Sequence, residues 1–121
     1  MNNRILSYLL AFIFLASGGA KLLSLPFEIA AFERWGYAIE FMYFTGVVEC
    51  LGAVGLLFSR FSSFASLCLS ALMLGAIGTH IIHREWVMLA VAIVIALAAF
   101  WRGWSGRADI KQSLITLGYN K

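Results

Sequence analysis

Three ionisable side chains, Lys21, Glu49 and His80, stand within otherwise apolar stretches of this sequence. A charged side chain at the centre of a bilayer is costly, at roughly 2.5–3.5 kcal/mol for lysine on insertion scales. Such residues usually face the interior of a helix bundle, pair with one another, and mark proton or ligand sites. We therefore predict that these three side chains form a polar cluster that is a ligand or proton site, with Glu49 as its central residue.

The composition of the whole chain indicates that lipid surrounds this cluster. Of the 121 residues, 62% are hydrophobic and 12% are charged, whereas about 25% are charged in an average soluble domain. A small soluble fold buries too little of its surface to hide so many apolar side chains. The composition also argues against a disordered chain and a disulfide scaffold. The net charge of +3 is spread over the chain ends and loops, which argues against a nucleic-acid-binding surface.

Four long apolar segments carry the ionisable residues. They cover residues 5–25, 41–58, 61–82 and 86–104, and each is long enough to cross a hydrocarbon core of about 30 Å as a helix. Helices are expected because backbone groups in lipid must be satisfied within the segment, and because the alternation typical of a barrel is absent. The links between later segments are short, which favours antiparallel neighbours. The sequence therefore predicts a single all-α membrane domain, a transmembrane four-helix bundle.

A short additional helix is predicted between the first two spans. Pro26 suits the first turn of a helix and Gly36 suits its end. Residues 26–35 mix apolar with charged side chains, which is typical of a helix at the membrane interface, and we expect this helix to cover the polar cluster. Residues 105–121 are predicted to form a cytoplasmic tail, either as an amphipathic helix or as a loosely ordered segment on the membrane surface.

Basic residues flank the spans unequally. One side carries Arg4, Arg60, Arg102, Arg107, Lys111 and Lys121, and the other carries Arg34 and Arg84. Because short cytoplasmic segments are enriched in lysine and arginine, both termini are predicted to be cytoplasmic. The chain would then be a multi-pass protein of the cell membrane, that is, of a cytoplasmic or inner membrane. A cleaved signal peptide at the first segment is the alternative, and it would leave three spans.

This orientation places the three ionisable residues in the outer half of the bundle. Helical rise gives depths of about 6 Å for Lys21, about 12 Å for Glu49 and about 3 Å for His80 below the outer span ends. Simpler interpretations stay open: Lys21 reaching the headgroups, an interfacial His80, or a buried pair that only fixes helix register. Small residues at helical spacing are predicted to allow close helix packing. They are Gly18, Gly46, Gly52, Gly55, Gly75, Ala92 and Ala96.

No motif of a catalytic or metal centre is present in the sequence. It contains no CxxC, no Gly-rich phosphate loop and no nucleophile elbow. Helical rise separates Cys50 and Cys68 in depth by about 8 Å, which is too far for a disulfide, and we predict that both are small apolar fillers. His80 and His83 could hold a metal or haem, but we predict no metal site. The chain is not predicted to be catalytic by itself.

Three motifs, in this order, resemble the DoxX-like family of small four-helix integral membrane proteins. They are Gly18-Gly19-Ala20-Lys21, Gly46-Val47-Val48-Glu49-Cys50-Leu51-Gly52, and Ala76 followed by Thr79-His80. The resemblance covers residues 5–104 and matches the family's recurring Lys, Glu and His to Lys21, Glu49 and His80. It implies a non-catalytic accessory subunit of a redox-associated membrane complex, with a quinone or other lipid-like molecule as candidate ligand. The cysteine motifs of related redox proteins are absent.

Two alternative functions remain open at this stage. The small-residue faces, above all the alanine face of the fourth span, could dock partner helices, as in a membrane assembly or interaction module. The buried Glu49 carboxylate could instead serve as the proton site of a small oligomeric transporter. The expected partners are the lipid bilayer and other membrane proteins or further copies of the chain, with no nucleic acid among them.

Overall fold

The computed structural model describes residues 3–58 and 60–106. Within these residues it contains no strand and has five helices: α1 (Asn3–Leu22), α2 (Pro26–Trp35), α3 (Ile39–Leu57), α4 (Ser62–Ile82) and α5 (Trp86–Ser105). Helices α1, α3, α4 and α5 are long and apolar enough to cross a membrane. The predicted all-α fold, with four spanning helices and a short helix between the first two, is confirmed. The sidedness of the termini stays a prediction, and the tail beyond Gly106 lies outside the described residues.

The bounds of α2 follow from one proline and one glycine. Pro26 occupies the first turn, where its missing N–H leaves no hydrogen bond unmade, and it follows an extended Leu25. Gly36 ends the helix with a left-handed backbone, φ 80°, and its N–H donates to the Glu33 carbonyl oxygen. Helix formation over the predicted residues is thus confirmed, whereas the location of α2 at a membrane surface stays a prediction.

The long helices pack as two pairs, α1 with α3 and α4 with α5, and the pairs meet mainly through α3 and α4. An apolar core fills one half of the bundle, where Leu10, Phe14 and Leu69 are almost fully buried. The outer surfaces of the helices carry large exposed apolar side chains, such as Phe12 and Val94. This arrangement is the one expected when lipid rather than water surrounds the helices.

The crossing of α1 and α3 is tight because both helices present a glycine to it. A Cβ atom at Gly18 would lie 2.8 Å from the Gly46 carbonyl oxygen and 2.8 Å from Cys50 Sγ. A Cβ atom at Gly46 would lie 3.0 Å from the Gly18 carbonyl oxygen and 3.0 Å from Lys21 Cβ. Backbones therefore touch at this point, as small residues allow in membrane helices. The close approach brings the lysine of α1 to the face of α3 that carries Glu49.

The other small residues selected from the sequence have different surroundings. Gly52 faces Leu69 across the contact between α3 and α4, where an added Cβ atom would lie 2.6 Å from a leucine methyl carbon. Gly55 faces Ala65 in the same contact. Ala92 and Ala96 of α5 are buried.

Gly75 requires a correction, because it lies on a cavity wall rather than in a helix contact. No described atom of a neighbouring helix comes within 4 Å of the position that a Cβ atom would take there. Its carbonyl oxygen accepts a hydrogen bond from the Thr79 hydroxyl group at 3.0 Å. Spacing along α4 could not reveal this, because it gives the face on which Gly75 lies but not whether another helix or a cavity stands opposite that face.

Candidate functional site

Lys21 is the centre of a buried ionic cluster between α1, α2 and α3. Its Nζ lies 3.3 Å from Glu49 Oε1 and 3.6 Å from Glu28 Oε2, and it donates to the Ser17 hydroxyl oxygen at 2.9 Å. The side chains of Lys21 and Glu49 are 10% and 7% exposed. Because Ser17 lies one turn before Lys21, this contact directs the lysine side chain towards the middle of α1. Two carboxyl groups thus share one ammonium group in a largely buried setting.

A second polar cluster joins α2 to the link between α4 and α5. His80 Nδ1 lies 2.8 Å from Glu85 Oε1, and Trp35 Nε1 donates to the same oxygen at 2.9 Å. Arg34 donates to Glu85 Oε2 through Nε at 2.9 Å and through Nη2 at 2.6 Å. Glu85 can reach back to His80 because Arg84 adopts a left-handed backbone, φ 57°, which turns the chain sharply.

The charge state of Glu85 follows from these contacts. Partial burial on its own would raise the pKa of the Glu85 carboxyl group. The hydrogen bonds from His80, Arg34 and Trp35 stabilise the charged form more strongly, and the net effect lowers the pKa below its ordinary value. Glu85 is therefore a carboxylate around neutral pH and accepts hydrogen bonds from all three partners.

Both polar clusters border one cavity of about 690 Å³ that all five helices line. Its remaining wall is mostly apolar and aromatic. Prominent wall residues are Phe32, Phe41, Leu72, Met73, Met88 and Ile95. Helix α2 covers the cavity with Phe32 and Trp35 on its inner face. The site is therefore a largely apolar cavity with ionic groups at two places on its wall.

The structure brings together only part of the cluster expected from the sequence. Lys21 and Glu49 are in direct contact, as expected for the first choice of partner. His80 does not contact Glu49 and is bound to Glu85 instead, so the expected direct cluster of three is wrong in that respect. All three side chains nevertheless line the same cavity. Their role as a ligand or proton site stays a prediction.

Two carboxylates of the site were not identified from the sequence. Glu28 of α2 contacts Lys21, and Glu85 binds His80. Both belong to segments that the sequence assigned to the membrane interface and to a short link. The signal that could have found Glu28 is its place in the first turn of a helix predicted to cover the cluster. No comparable signal marks Glu85, because its position depends on the unusual backbone of Arg84.

A third buried polar cluster lies at the other end of the bundle. The Arg102 guanidinium group of α5 donates to the hydroxyl oxygens of Ser7 at 2.6 Å, Ser63 at 2.9 Å and Ser62 at 2.5 Å. Arg102 is buried, although the sequence assigned it to the exposed basic flank of the last span. Two helices are therefore joined to α5 at this end, since Ser7 belongs to α1 and the other two serines begin α4.

This combination of fold and site defines a class: a multi-pass integral membrane protein, with four spanning helices around a partly polar cavity. Comparison with known proteins gives the family. The model of the DoxX-like family matches residues 5–101, so the chain belongs to the DoxX-like family. It is also similar to the uncharacterized protein YdgD of Bacillus subtilis (strain 168), with 30% identity over 93 residues, which cover 73% of this chain and 82% of that protein. No solved structure matches the chain.

Proposed function

We propose that this protein binds a lipid-like small molecule, with a quinone as the leading candidate, and acts as a non-catalytic accessory subunit of a redox-associated complex in the cell membrane. The single observation that carries the proposal is the cavity. Its volume of about 690 Å³ falls within the roughly 300–1,000 Å³ of typical ligand pockets. Its apolar walls suit a hydrocarbon tail, and its ionic clusters suit a polar head.

Access from the bilayer supports a lipid-like ligand. Three side chains on the cavity wall, Phe27, Val87 and Val91, are 63%, 80% and 55% exposed. They belong to α2 and to the first turns of α5, on the outside of the bundle. Because the outside of a membrane helix faces lipid, a hydrophobic ligand can approach the cavity between these helices without crossing water.

The accessory role in a redox complex rests on the family resemblance rather than on a catalytic constellation. The alternative of an assembly module was motivated by the alanine face of the fourth span. In the structure Ala92, Ala96 and Ala99 are 4%, 8% and 0% exposed, and this chain's own helices cover them. That face is therefore not available to a partner helix, so ligand binding is the better-supported function.

Native mass spectrometry tests the ligand proposal. The detergent-solubilised protein is incubated with a short-chain quinone, with the oxidised and the reduced form in separate samples, and compared with two phenylalanine variants of α4. Ala76→Phe fills the cavity wall, whereas Leu74→Phe changes an exposed side chain on the same helix. We expect an adduct of at least one form on the unchanged protein and on Leu74→Phe, and its loss from Ala76→Phe. No adduct of either form on the unchanged protein, or an equal adduct on Ala76→Phe, would refute the proposal.

The accessory role needs a separate measurement. The tagged protein is purified from native membranes in a mild detergent, and the proteins that accompany it are identified. A redox enzyme present in stoichiometric amount is the expected result. A stable complex with a membrane partner of no redox chemistry would favour the assembly role instead.

A further inference from the structure

His80 lines the cavity, and a described residue engages only one of its two ring nitrogens. A carboxylate can only accept hydrogen bonds, so the contact with Glu85 requires that His80 Nδ1 carry the proton. In a neutral imidazole the other nitrogen, Nε2, then holds a lone pair and is an acceptor. The hydrogen bonds among the described residues engage Nδ1 alone. The ring lines the cavity, and its side chain is only 9% exposed.

The hydrogen-bond donors on the cavity wall are largely used within the protein. The Thr79 hydroxyl donates to the Gly75 carbonyl oxygen, so the Tyr37 hydroxyl must donate its own proton to Thr79. The Thr45 hydroxyl donates to a backbone carbonyl oxygen of its own helix. The indole of Trp35 donates to Glu85. The Arg34 guanidinium group keeps further N–H donors, but its side chain is 50% exposed. On the buried part of the wall, a ligand that offers only acceptor atoms therefore finds few donors that are not already occupied.

The contacts at the other polar cluster point in the same direction. Lys21 lies within 3.6 Å of both Glu28 and Glu49, so one ammonium group faces two carboxylates. The Glu28 carboxylate accepts no hydrogen bond from a described residue, and its contact among these residues is the ion pair with Lys21. The cluster thus offers carboxyl oxygens of Glu28 that accept no hydrogen bond from a described residue. A head group that donates hydrogen bonds can pair with them.

We infer that the cavity selects an amphipathic ligand whose head group donates hydrogen bonds, with His80 Nε2 as the principal acceptor. This inference rests on the proposed function and specifies its ligand. A quinone has only acceptor oxygens, whereas the corresponding hydroquinone carries two hydroxyl donors. The protein is therefore expected to bind the reduced hydroquinone in preference to the oxidised quinone.

Binding constants for three matched probes test this inference. They are decylhydroquinone, decylbenzoquinone and the dimethyl ether of decylhydroquinone, measured by thermophoresis in one detergent and one buffer, without oxygen. The unchanged protein should bind the hydroquinone about tenfold or more tightly than either molecule without a donor, because those leave the acceptor unpaired.

Two histidine variants assign the preference to one residue. His80→Phe removes the acceptor but keeps a ring of similar shape, and the preference should fall to about one. His83→Phe is the matched control, because His83 binds a backbone oxygen and does not line the cavity. It should keep the full preference. The ratio of two affinities on the same preparation does not depend on the fraction of protein that is folded.

Three results would contradict the inference. They are equal binding of quinone and hydroquinone, tighter binding of the quinone, and an unchanged preference in His80→Phe. Each of these leaves the proposed function intact, because a lipid-like molecule still binds. Failure of all three probes to bind would overturn the proposed function as well. Binding of decylammonium in place of the hydroquinone would overturn the assignment of a hydroxyl head group.

Discussion

The ionic cluster around Lys21 makes a quantitative prediction about stability. The change is made on either side of the contact, as Lys21→Met or as Glu49→Gln, and then on both sides together. The two side chains are 10% and 7% exposed, and their charged atoms are 3.3 Å apart. Removing one member of a buried pair leaves the other charge uncompensated, which costs about 3–5 kcal/mol in known cases.

The presence of Glu28 makes the two single changes unequal. Lys21→Met leaves two carboxylates facing each other with no cation, so we expect the full loss of about 3–5 kcal/mol in the free energy of unfolding. Glu49→Gln leaves Lys21 with Glu28 at 3.6 Å and with Ser17 at 2.9 Å, and the new amide still accepts a hydrogen bond. Its expected loss is about 1–2 kcal/mol.

The double variant measures the coupling between the two residues. In the double variant Glu28 has lost its ion pair with Lys21, and its side chain, at 14% exposed, is closer to solvent than those of Lys21 and Glu49. The combined loss should be smaller than the sum of the single losses by about 0.5–3 kcal/mol. The assay is SDS titration of the protein in mixed micelles, with helix content followed by circular dichroism.

A matched control accompanies the cycle. Glu40→Gln changes an exposed carboxylate in the first turn of the same helix and should stay within about 0.5 kcal/mol of the unchanged protein. Equal losses for Lys21→Met and Glu49→Gln would refute the role of Glu28. Strictly additive losses would show that the lysine and Glu49 do not stabilise each other.

Four further predictions follow from other parts of the structure. Gly18→Ala should lower the free energy of unfolding by about 1–3 kcal/mol, because the added Cβ atom meets backbone atoms of α3. Gly19→Ala is the control and should be neutral, because the space around Gly19 is open. Equal thermal stabilities of the two variants would contradict the tight crossing of α1 and α3. The pKa of Glu85 is lowered from 4.5, so its stabilising contribution is complete above that pH and is lost as the pH falls through the folded-state pKa. The stability difference between the unchanged protein and Glu85→Gln should therefore shrink as the pH is lowered. A difference that grows on acidification would contradict a lowered pKa of Glu85. Arg102→Lys should lower the free energy of unfolding by about 1–3 kcal/mol in the same SDS titration, because one ammonium group cannot reproduce three guanidinium hydrogen bonds held in a fixed plane. An unchanged stability would show that the planar guanidinium group is not required. A reporter enzyme fused after Lys121 should be active only if it is of a type that works in the cytoplasm. Activity of a reporter that works only in the periplasm would contradict the predicted cytoplasmic C-terminus.

The helices could be predicted because their signals are local. Length and apolar composition gave the four spans, and the observed bounds differ from the predicted ones by at most three residues at either end. Pro26 and Gly36 marked the short helix for steric reasons that do not depend on the rest of the fold. The contact between Lys21 and Glu49 could also be predicted from the sequence, because helical rise gives the depth of each residue along its span. The difference between the two depths is one that a lysine side chain can bridge.

The remaining polar contacts depend on features that no sequence pattern encodes. Glu85 reaches His80 only because Arg84 takes a left-handed backbone, which is uncommon for a residue with a side chain of that size. Arg102 looked like an ordinary basic residue at a span end. Its burial depends on the rotation of α1 and α4, which turns Ser7 and Ser62 towards it. Such rotations are set by packing across the whole bundle.

Helix α2 connects the two polar clusters and thereby the two pairs of long helices. Glu28, in its first turn, contacts Lys21 on the pair α1 and α3, while Arg34 and Trp35, in its last turn, contact Glu85 beside the pair α4 and α5. The two pairs otherwise meet mainly through α3 and α4. Helix α2 therefore bridges the cavity and is held at both ends by contacts with charged side chains. Because a helix is stiff, its length sets the separation of its two attachments. A change at either polar cluster should therefore alter the covering of the whole cavity rather than of its own end alone.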